Sequence, residues 1–107
     1  MKIMLQGNHS GCHAGSAAVW QYLTSLIHAK EDLAIAGSIE GSDCLIINGE
    51  GTMHDALDNP SVIAILNMIK DAKDSGKRVY LINSVWQNMT CPQADFIKLC
   101  DSVFVRE

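Results

Sequence analysis

The sequence lacks the features that mark several large classes of protein. It has no apolar run of the eighteen or more residues that a membrane-spanning helix needs, and Gly7 comes too early for a secretory signal peptide. Its four cysteines show no C-x-x-C spacing and are too few for a small secreted disulfide scaffold. We therefore expect reduced thiols in a cytoplasmic protein, with Cys44 acting as a small core residue.

Positive charge is also scarce. Eight lysines and arginines face twelve acidic residues, which gives a formal net charge of −4, and the basic residues do not cluster beyond Lys77-Arg78. A protein that binds nucleic acid needs a basic face to displace counterions, so we expect no nucleic-acid partner. The phosphate-loop signature is missing as well, and the GEGTMH segment has a histidine where the dinucleotide fingerprint needs its third glycine.

What is present is an alternation of short apolar runs and amphipathic segments in a chain of 107 residues. The apolar runs predict strands at Lys2–Gln6, Leu33–Ala36, Cys44–Asn48, Arg78–Asn83 and Ser102–Val105. The amphipathic segments predict helices over Ala14–Ala29, from Pro60 up to a closing Gly76, and around Gln93–Leu99. This order predicts one Rossmann-like α/β domain of three layers, α/β/α, with a mainly parallel sheet of 4–5 strands.

Three predicted loops hold most of the chemically reactive side chains. They follow the ends of three strands, at Gly7–His13, Gly49–Asp55 and Ser84–Cys91. Open parallel sheets bind ligands beyond the carboxyl ends of their strands. We therefore expect the three loops to converge on one edge of the sheet and to form a ligand site there.

The first loop precedes a helix start, whose free amides favour an anion or another polar group. Its spacing of His9 and His13 around Cys12 resembles a metal triplet, but that spacing needs a continuous helix and Gly11 favours a loop. We therefore predict a polar ligand and neither a metal nor a cofactor. The candidate binding residues are Asn8, His9, Ser10 and Gly11.

The second loop offers acid–base chemistry through Glu50, His54 and Asp55, which are the candidate catalytic residues. A carboxylate pair binds vicinal hydroxyls, and Gly49 and Gly51 would let a ligand approach the backbone. The alternative interpretation is structural. Asp55 would then only favour the start of the following helix, and His54 would be a surface residue.

The third loop contains Trp86 and Gln87, which are candidates to stack on a sugar ring and to form hydrogen bonds with it. An aromatic residue at the edge of a sheet is equally well explained as a core or interface residue, so both interpretations stay open.

Four segments together resemble the N-terminal half of the polysaccharide pyruvyl transferase family. In order they are NHSG (Asn8–Gly11), DCLIINGEGTMHD (Asp43–Asp55), SGKRVYLINSVWQ and ADFIKLCDSVFVRE. They are similar to the family's N-x-x-G-D loop, its strand running into a glycine-rich turn, its glycine-lysine turn with a strand, and its short helix with a strand. Cys12 stands where the family usually has aspartate.

The resemblance implies transfer of pyruvate from phosphoenolpyruvate to a sugar as a ketal, at a cleft between two Rossmann-like domains. It implies that this chain corresponds to the N-terminal domain and supplies the side that binds a sugar or sugar-phosphate acceptor. Phosphoenolpyruvate would bind mainly through a second domain. Two alternatives stay open, namely a non-catalytic ligand-binding domain that forms a homodimer and a glycosyltransferase-like fragment that binds a nucleotide-sugar.

Overall fold

The computed structural model describes residues 1–7, 14–50, 60–84 and 91–105. In chain order these contain β1 (Lys2–Gly7), α1 (Ala14–His28), β2 (Ala34–Ile35), β3 (Cys44–Glu50), α2 (Pro60–Asp74), β4 (Arg78–Ser84), a 3₁₀ helix (Pro92–Leu99) and β5 (Ser102–Val105). Each element agrees with its predicted position to within one or two residues at either end. None of the helices in these ranges is long and apolar enough to cross a membrane.

The five strands of the described ranges form one sheet in the order β2-β1-β3-β4-β5. Every neighbouring pair is parallel. The register aligns the starts of the three central strands, because Ile3 lies beside Cys44 and Cys44 lies beside Arg78. This arrangement confirms the predicted Rossmann-like α/β fold, and it places the carboxyl ends of the strands at a common edge.

Alternating side chains of the central strands build two separate cores, one on each face of the sheet. On one face, Leu45, Ile47, Val79 and Leu81 are buried together with the apolar stripe of α2, which comprises Val62, Ile65, Leu66, Ile69 and Ala72. On the opposite face, Ile3, Leu5 and Cys44 are buried with Ile27 of α1. Helices therefore cover both faces of the sheet, which gives the three predicted layers.

Gly76 closes α2, as the sequence predicted. Gly76 has a φ of +77°, a left-handed conformation that glycine adopts without steric cost. The Gly76 amide donates to the carbonyl of Lys73 (3.0 Å), and the Lys77 amide donates to the carbonyl of Ala72 (2.9 Å). This pair of hydrogen bonds is the Schellman motif, and it directs the chain from the end of α2 into β4.

Two aspartates at the amino edge of the sheet each form the same pair of hydrogen bonds to a residue of a neighbouring strand. Asp43 precedes β3, and its carboxylate accepts a hydrogen bond from the Lys2 amide (2.6 Å) while its own amide donates to the Lys2 carbonyl (2.7 Å). Asp101 precedes β5 and forms the same pair of bonds with Val79, each 2.8 Å long. The Val79 amide and, secondly, the ammonium of Lys73 hold the pKa of Asp101 below its ordinary value.

Candidate functional site

The carboxyl ends of β1 and β3 lie side by side, with Gly7 in register with Asn48. After β1 the chain continues into α1, which packs on one face of the sheet, whereas after β3 it continues into α2, which packs on the other. This divergence of two adjacent strands is a topological switch point, and open α/β sheets usually bind ligands in the crevice that forms at such a point.

Two of the predicted site residues, Gly49 and Glu50, fall within the described part of the chain. The other predicted site residues lie outside the described residues: Asn8, His9, Ser10, Gly11, Gly51, His54, Asp55, Trp86 and Gln87. The structure does bring together the strand ends from which the three predicted loops leave. Gly7 lies beside Asn48, and Glu50 lies beside Ser84.

Gly49 and Glu50 belong to β3 and not to a loop, because the strand runs two residues beyond its predicted end at Asn48. Gly49 is buried, and a Cβ built on it would lie 2.8 Å from the Cβ of Ser84 on β4 and 3.3 Å from the Cδ1 of Leu81. Glycine is therefore required here for the close approach of two strands. The sequence predicted Gly49 as a loop residue, but in the structure the need for a glycine at this position comes from its packing against β4.

A pair of asparagines that the sequence analysis did not select lies at the end of β3. Asn48 is fully buried, and its Oδ1 accepts a hydrogen bond from the Nδ2 of Asn83 (3.0 Å). Asn83 has a φ of +51°, a left-handed conformation that asparagine tolerates better than most residues. Beside it, the pairing of β4 with β5 shifts register between Leu81 and Ser84. The left-handed backbone of Asn83 and the register shift of β4 therefore occur at the same place as the hydrogen bond between the two amides.

The nitrogen of the Asn48 amide is the unusual atom of this pair. Among the residues that the structure describes, no group accepts a hydrogen bond from this buried Nδ2. A buried polar group without a partner destabilises a fold by about 1–3 kcal/mol, which is why nearly all such groups are paired. The sequence signal for this residue is a polar side chain at the end of the apolar run CLIIN, where the pattern by itself predicts only the boundary of the strand.

The basic side chains of the described residues lie away from the strand ends. Lys2 and Arg78 are the first residues of β1 and β4, at the amino edge of the sheet. Lys70 pairs with Asp74 on α2 (2.6 Å), and Lys73 near the end of that helix pairs with Asp101 (3.0 Å). Lys77 follows α2, Lys30 follows α1, and Lys98 is near the end of the 3₁₀ helix. The polar side chains described at the carboxyl edge are therefore the amides of Asn48 and Asn83 and the hydroxyl of Ser84, and no described cation lies there.

An open groove of about 500 Å³ lies elsewhere, beside the edge strand β5. It is lined by Ile97, Lys98, Cys100, Val103 and Val105. Burial raises the pKa of the Cys100 thiol to about 11, so this thiol stays protonated at neutral pH. An apolar groove with a protonated thiol is a poor place for acid–base chemistry.

Comparisons of the sequence and the fold with protein-family models, curated proteins and solved structures found no match. The resemblance to the pyruvyl transferases consequently depends on the four quoted segments alone.

Proposed function

We propose that this chain binds the sugar acceptor of a pyruvyl transfer reaction at the carboxyl edge of its sheet. The observation that carries the proposal is the divergence of the chain after β1 and β3, whose ends lie side by side with Gly7 beside Asn48 while the following helices pack on opposite faces. Glu50 ends β3 at this edge, one residue beyond the close contact of Gly49 with β4. A carboxylate and neutral amides are suitable partners for sugar hydroxyls.

The reaction joins two hydroxyl groups of one sugar to a single carbon of phosphoenolpyruvate. The terminal enol carbon gains a proton, the two hydroxyl oxygens bond to the neighbouring carbon, and the bond from that carbon to the phosphate oxygen breaks. The two hydroxyls release two protons, of which one balances the proton on carbon and the other leaves with phosphate. The products are a cyclic pyruvate ketal and inorganic phosphate.

In this proposal the chain provides the groups that bind and deprotonate the acceptor. Glu50, His54 and Asp55 are the candidate bases for the hydroxyls. The NHSG segment at residues 8–11 and the residues Trp86 and Gln87 would orient the sugar ring. The donor carries two anionic groups, a phosphate and a carboxylate, that need cations, and none of the described cations lies at this edge, so we place phosphoenolpyruvate binding largely on a second domain.

Calorimetric titration of the whole chain with D-galactose, phosphoenolpyruvate and UDP-glucose tests the proposal. We expect heat of binding with galactose and little or none with phosphoenolpyruvate. Tighter binding of UDP-glucose than of galactose would favour the glycosyltransferase-like interpretation. If neither galactose nor UDP-glucose binds, the acceptor proposal is wrong.

The variant Glu50→Gln tests the role of the carboxylate while it keeps the size of the side chain. We expect it to lose galactose binding and to retain the melting temperature of the wild type, because Glu50 ends a strand whose core residues are unchanged. Glu40→Gln is the matched control, since Glu40 is an exposed glutamate in the connection between β2 and β3. A Glu50→Gln variant that melts several degrees lower and still binds galactose would show a structural role.

A second candidate function, a ligand-binding domain that self-associates, is favoured by one specific surface. In the described ranges β5 is the last strand of the sheet and has a neighbour on one side only. Phe104 and Val105 on this strand are 60% and 66% exposed. Exposed apolar edge strands tend to pair with another strand, and a second copy of β5 offers the matching row of backbone groups.

Sedimentation equilibrium tests self-association directly. We expect a dimer for the wild type and a monomer for Phe104→Lys, because a charge on an edge strand opposes pairing. Tyr22→Lys is the control, since Tyr22 is equally exposed (65%) but lies on α1. A wild type that stays monomeric at high concentration, or a Phe104→Lys variant that stays dimeric, would rule out pairing through β5.

A further inference from the structure

The unpaired amide nitrogen of Asn48 is the strongest unexplained feature of the described residues. Asn48 is fully buried, its oxygen is already bonded to Asn83, and its Nδ2 has no described acceptor. It lies at the end of β3, beside Gly7 of β1, so the neighbouring position on β1 contributes no side chain. The unused donor thus belongs to the residue of β3 that pairs with the last residue of β1, where the two strands diverge.

We propose that Asn48 determines ligand specificity by donating a hydrogen bond from Nδ2 to an oxygen of an uncharged, hydroxyl-bearing ligand. This inference rests on the proposed function, since it concerns the same crevice, and it adds both a residue and a narrower ligand class. According to this inference, the site binds a neutral sugar in preference to the sugar phosphate that the sequence also allowed.

The hydrogen-bond pattern identifies what Asn48 can recognise. An asparagine amide has two N–H donors and a carbonyl oxygen with two lone pairs; here the oxygen accepts one bond from Asn83, while the donors have no described partner. A ligand atom that pairs with the unused Nδ2 must accept a hydrogen bond, which a hydroxyl, a carboxylate and a phosphate can all do.

The distribution of charge narrows the choice to the hydroxyl. The described lysines and arginines lie at the amino edge of the sheet, in or just after α2, in the 3₁₀ helix or just after α1, and Lys73 is paired with Asp101. Glu50 is the last residue of β3, at the same edge of the sheet. A neutral amide donor at an edge without a described cation suits an uncharged ligand, because an anion would lack compensation for its lost hydration.

Asn83 has a supporting part in this arrangement. Its bond to the Oδ1 of Asn48 fixes the plane of the Asn48 amide and so the direction of the free donors. We therefore expect Asn83→Gly, which keeps the left-handed backbone accessible while it removes the amide, to weaken ligand binding by a smaller factor than loss of Asn48 does.

The first test compares stability and binding in Asn48→Leu, with Asn67→Leu on the exposed side of α2 as the matched control. Asn48→Leu removes the unpaired donor and also the bond from Asn83, whose half-buried amide can bond to water instead, so the melting temperature is expected to change little. Loss of one ligand hydrogen bond is expected to weaken galactose binding about tenfold in calorimetry. A lower melting temperature with unchanged binding would show that the amide is structural and would overturn the inference.

The second test observes the donor itself. The side-chain NH₂ signals of Asn48, identified by their loss in Asn48→Leu, are followed by NMR during titration with D-galactose, galactose 6-phosphate and sodium phosphate. We expect galactose to shift them and phosphate alone to leave them in place. Tighter binding of galactose 6-phosphate than of galactose, or a shift with phosphate alone, would overturn the neutral-ligand assignment.

The outcomes separate this inference from the proposed function. If galactose shifts signals at the carboxyl edge but not those of the Asn48 amide, the acceptor proposal stands and the role of Asn48 is wrong. If galactose shifts no signal at that edge, the acceptor proposal is wrong and the inference is wrong with it.

Discussion

Replacing Gly49 by alanine tests the packing that brings β3 and β4 together at the candidate site. The added Cβ would lie 2.8 Å from the Cβ of Ser84 and 3.3 Å from its Cα. Both distances involve atoms at or next to the β4 backbone, so rotation of a flexible side chain cannot relieve the contact. The two strands must instead move apart at Glu50 and Ser84, which form the last pair of their ladder.

The expected loss of stability follows from this geometry. Overpacking a well-filled site costs about 1–3 kcal/mol. For a domain of about 100 residues, 1 kcal/mol shifts the melting temperature by roughly 4 °C, so Gly49→Ala should melt about 4–12 °C below the wild type. Differential scanning calorimetry measures this difference directly.

Two further variants make the prediction specific to the contact with Ser84. Gly37→Ala is the matched control, because no atom lies within 4 Å of its added Cβ; reduced freedom of the unfolded chain should leave it neutral or slightly stabilised. Ser84→Gly removes the nearest atom, so adding Gly49→Ala in that background should cost less than in the wild type. A Gly49→Ala protein that melts with the wild type, or equal costs in both backgrounds, would refute the reasoning.

Three other features give expected outcomes of their own. Gly76→Ala should lower the free energy of unfolding by about 1–2 kcal/mol in urea titration, because a side chain is strained at its φ of +77°; a neutral result would contradict this. Asp101→Ala should melt below the wild type at neutral pH. Since the pKa of Asp101 is lowered in the fold, the stability that its carboxylate contributes is present above the ordinary carboxyl pKa of about 3.9 and is lost as the pH falls through the lowered value. The melting temperatures of the variant and the wild type should therefore converge in acid. Buried Cys44 and Cys91 should react with a thiol reagent far more slowly in the native chain than in guanidinium, as peptide mass spectrometry would show; equal rates would contradict their burial.

Much of the fold could be predicted because its elements have strong local signals. The run SVFV predicted β5 with its observed bounds, and Pro60 as first helical residue and Gly76 as closing glycine predicted both ends of α2 to within two residues. The alternation of strands and helices was enough to predict a parallel sheet with covered faces. The order of the strands was not predicted, since it depends on which distant segments pair and has no local pattern.

The residues of the candidate site were predicted less completely, for the same physical reason. Gly49 was interpreted as a loop residue because glycine usually ends a strand, whereas here it allows the approach of Ser84, 35 positions later in the chain. The contact between Asn48 and Asn83 also joins positions 35 residues apart. Only the register of β3 against β4 brings them together, and a single sequence does not specify that register.

The most direct test of the account maps the ligand site by two-dimensional amide NMR during titration with D-galactose. The account predicts the largest shifts at Gly7, Asn48 and Glu50, which are the ends of β1 and β3. It predicts no change at Lys2 and Arg78, which begin their strands at the opposite edge of the sheet. Shifts concentrated at the amino edge or along β5, or no shifts at all, would contradict the claim that the diverging ends of β1 and β3 bind a sugar.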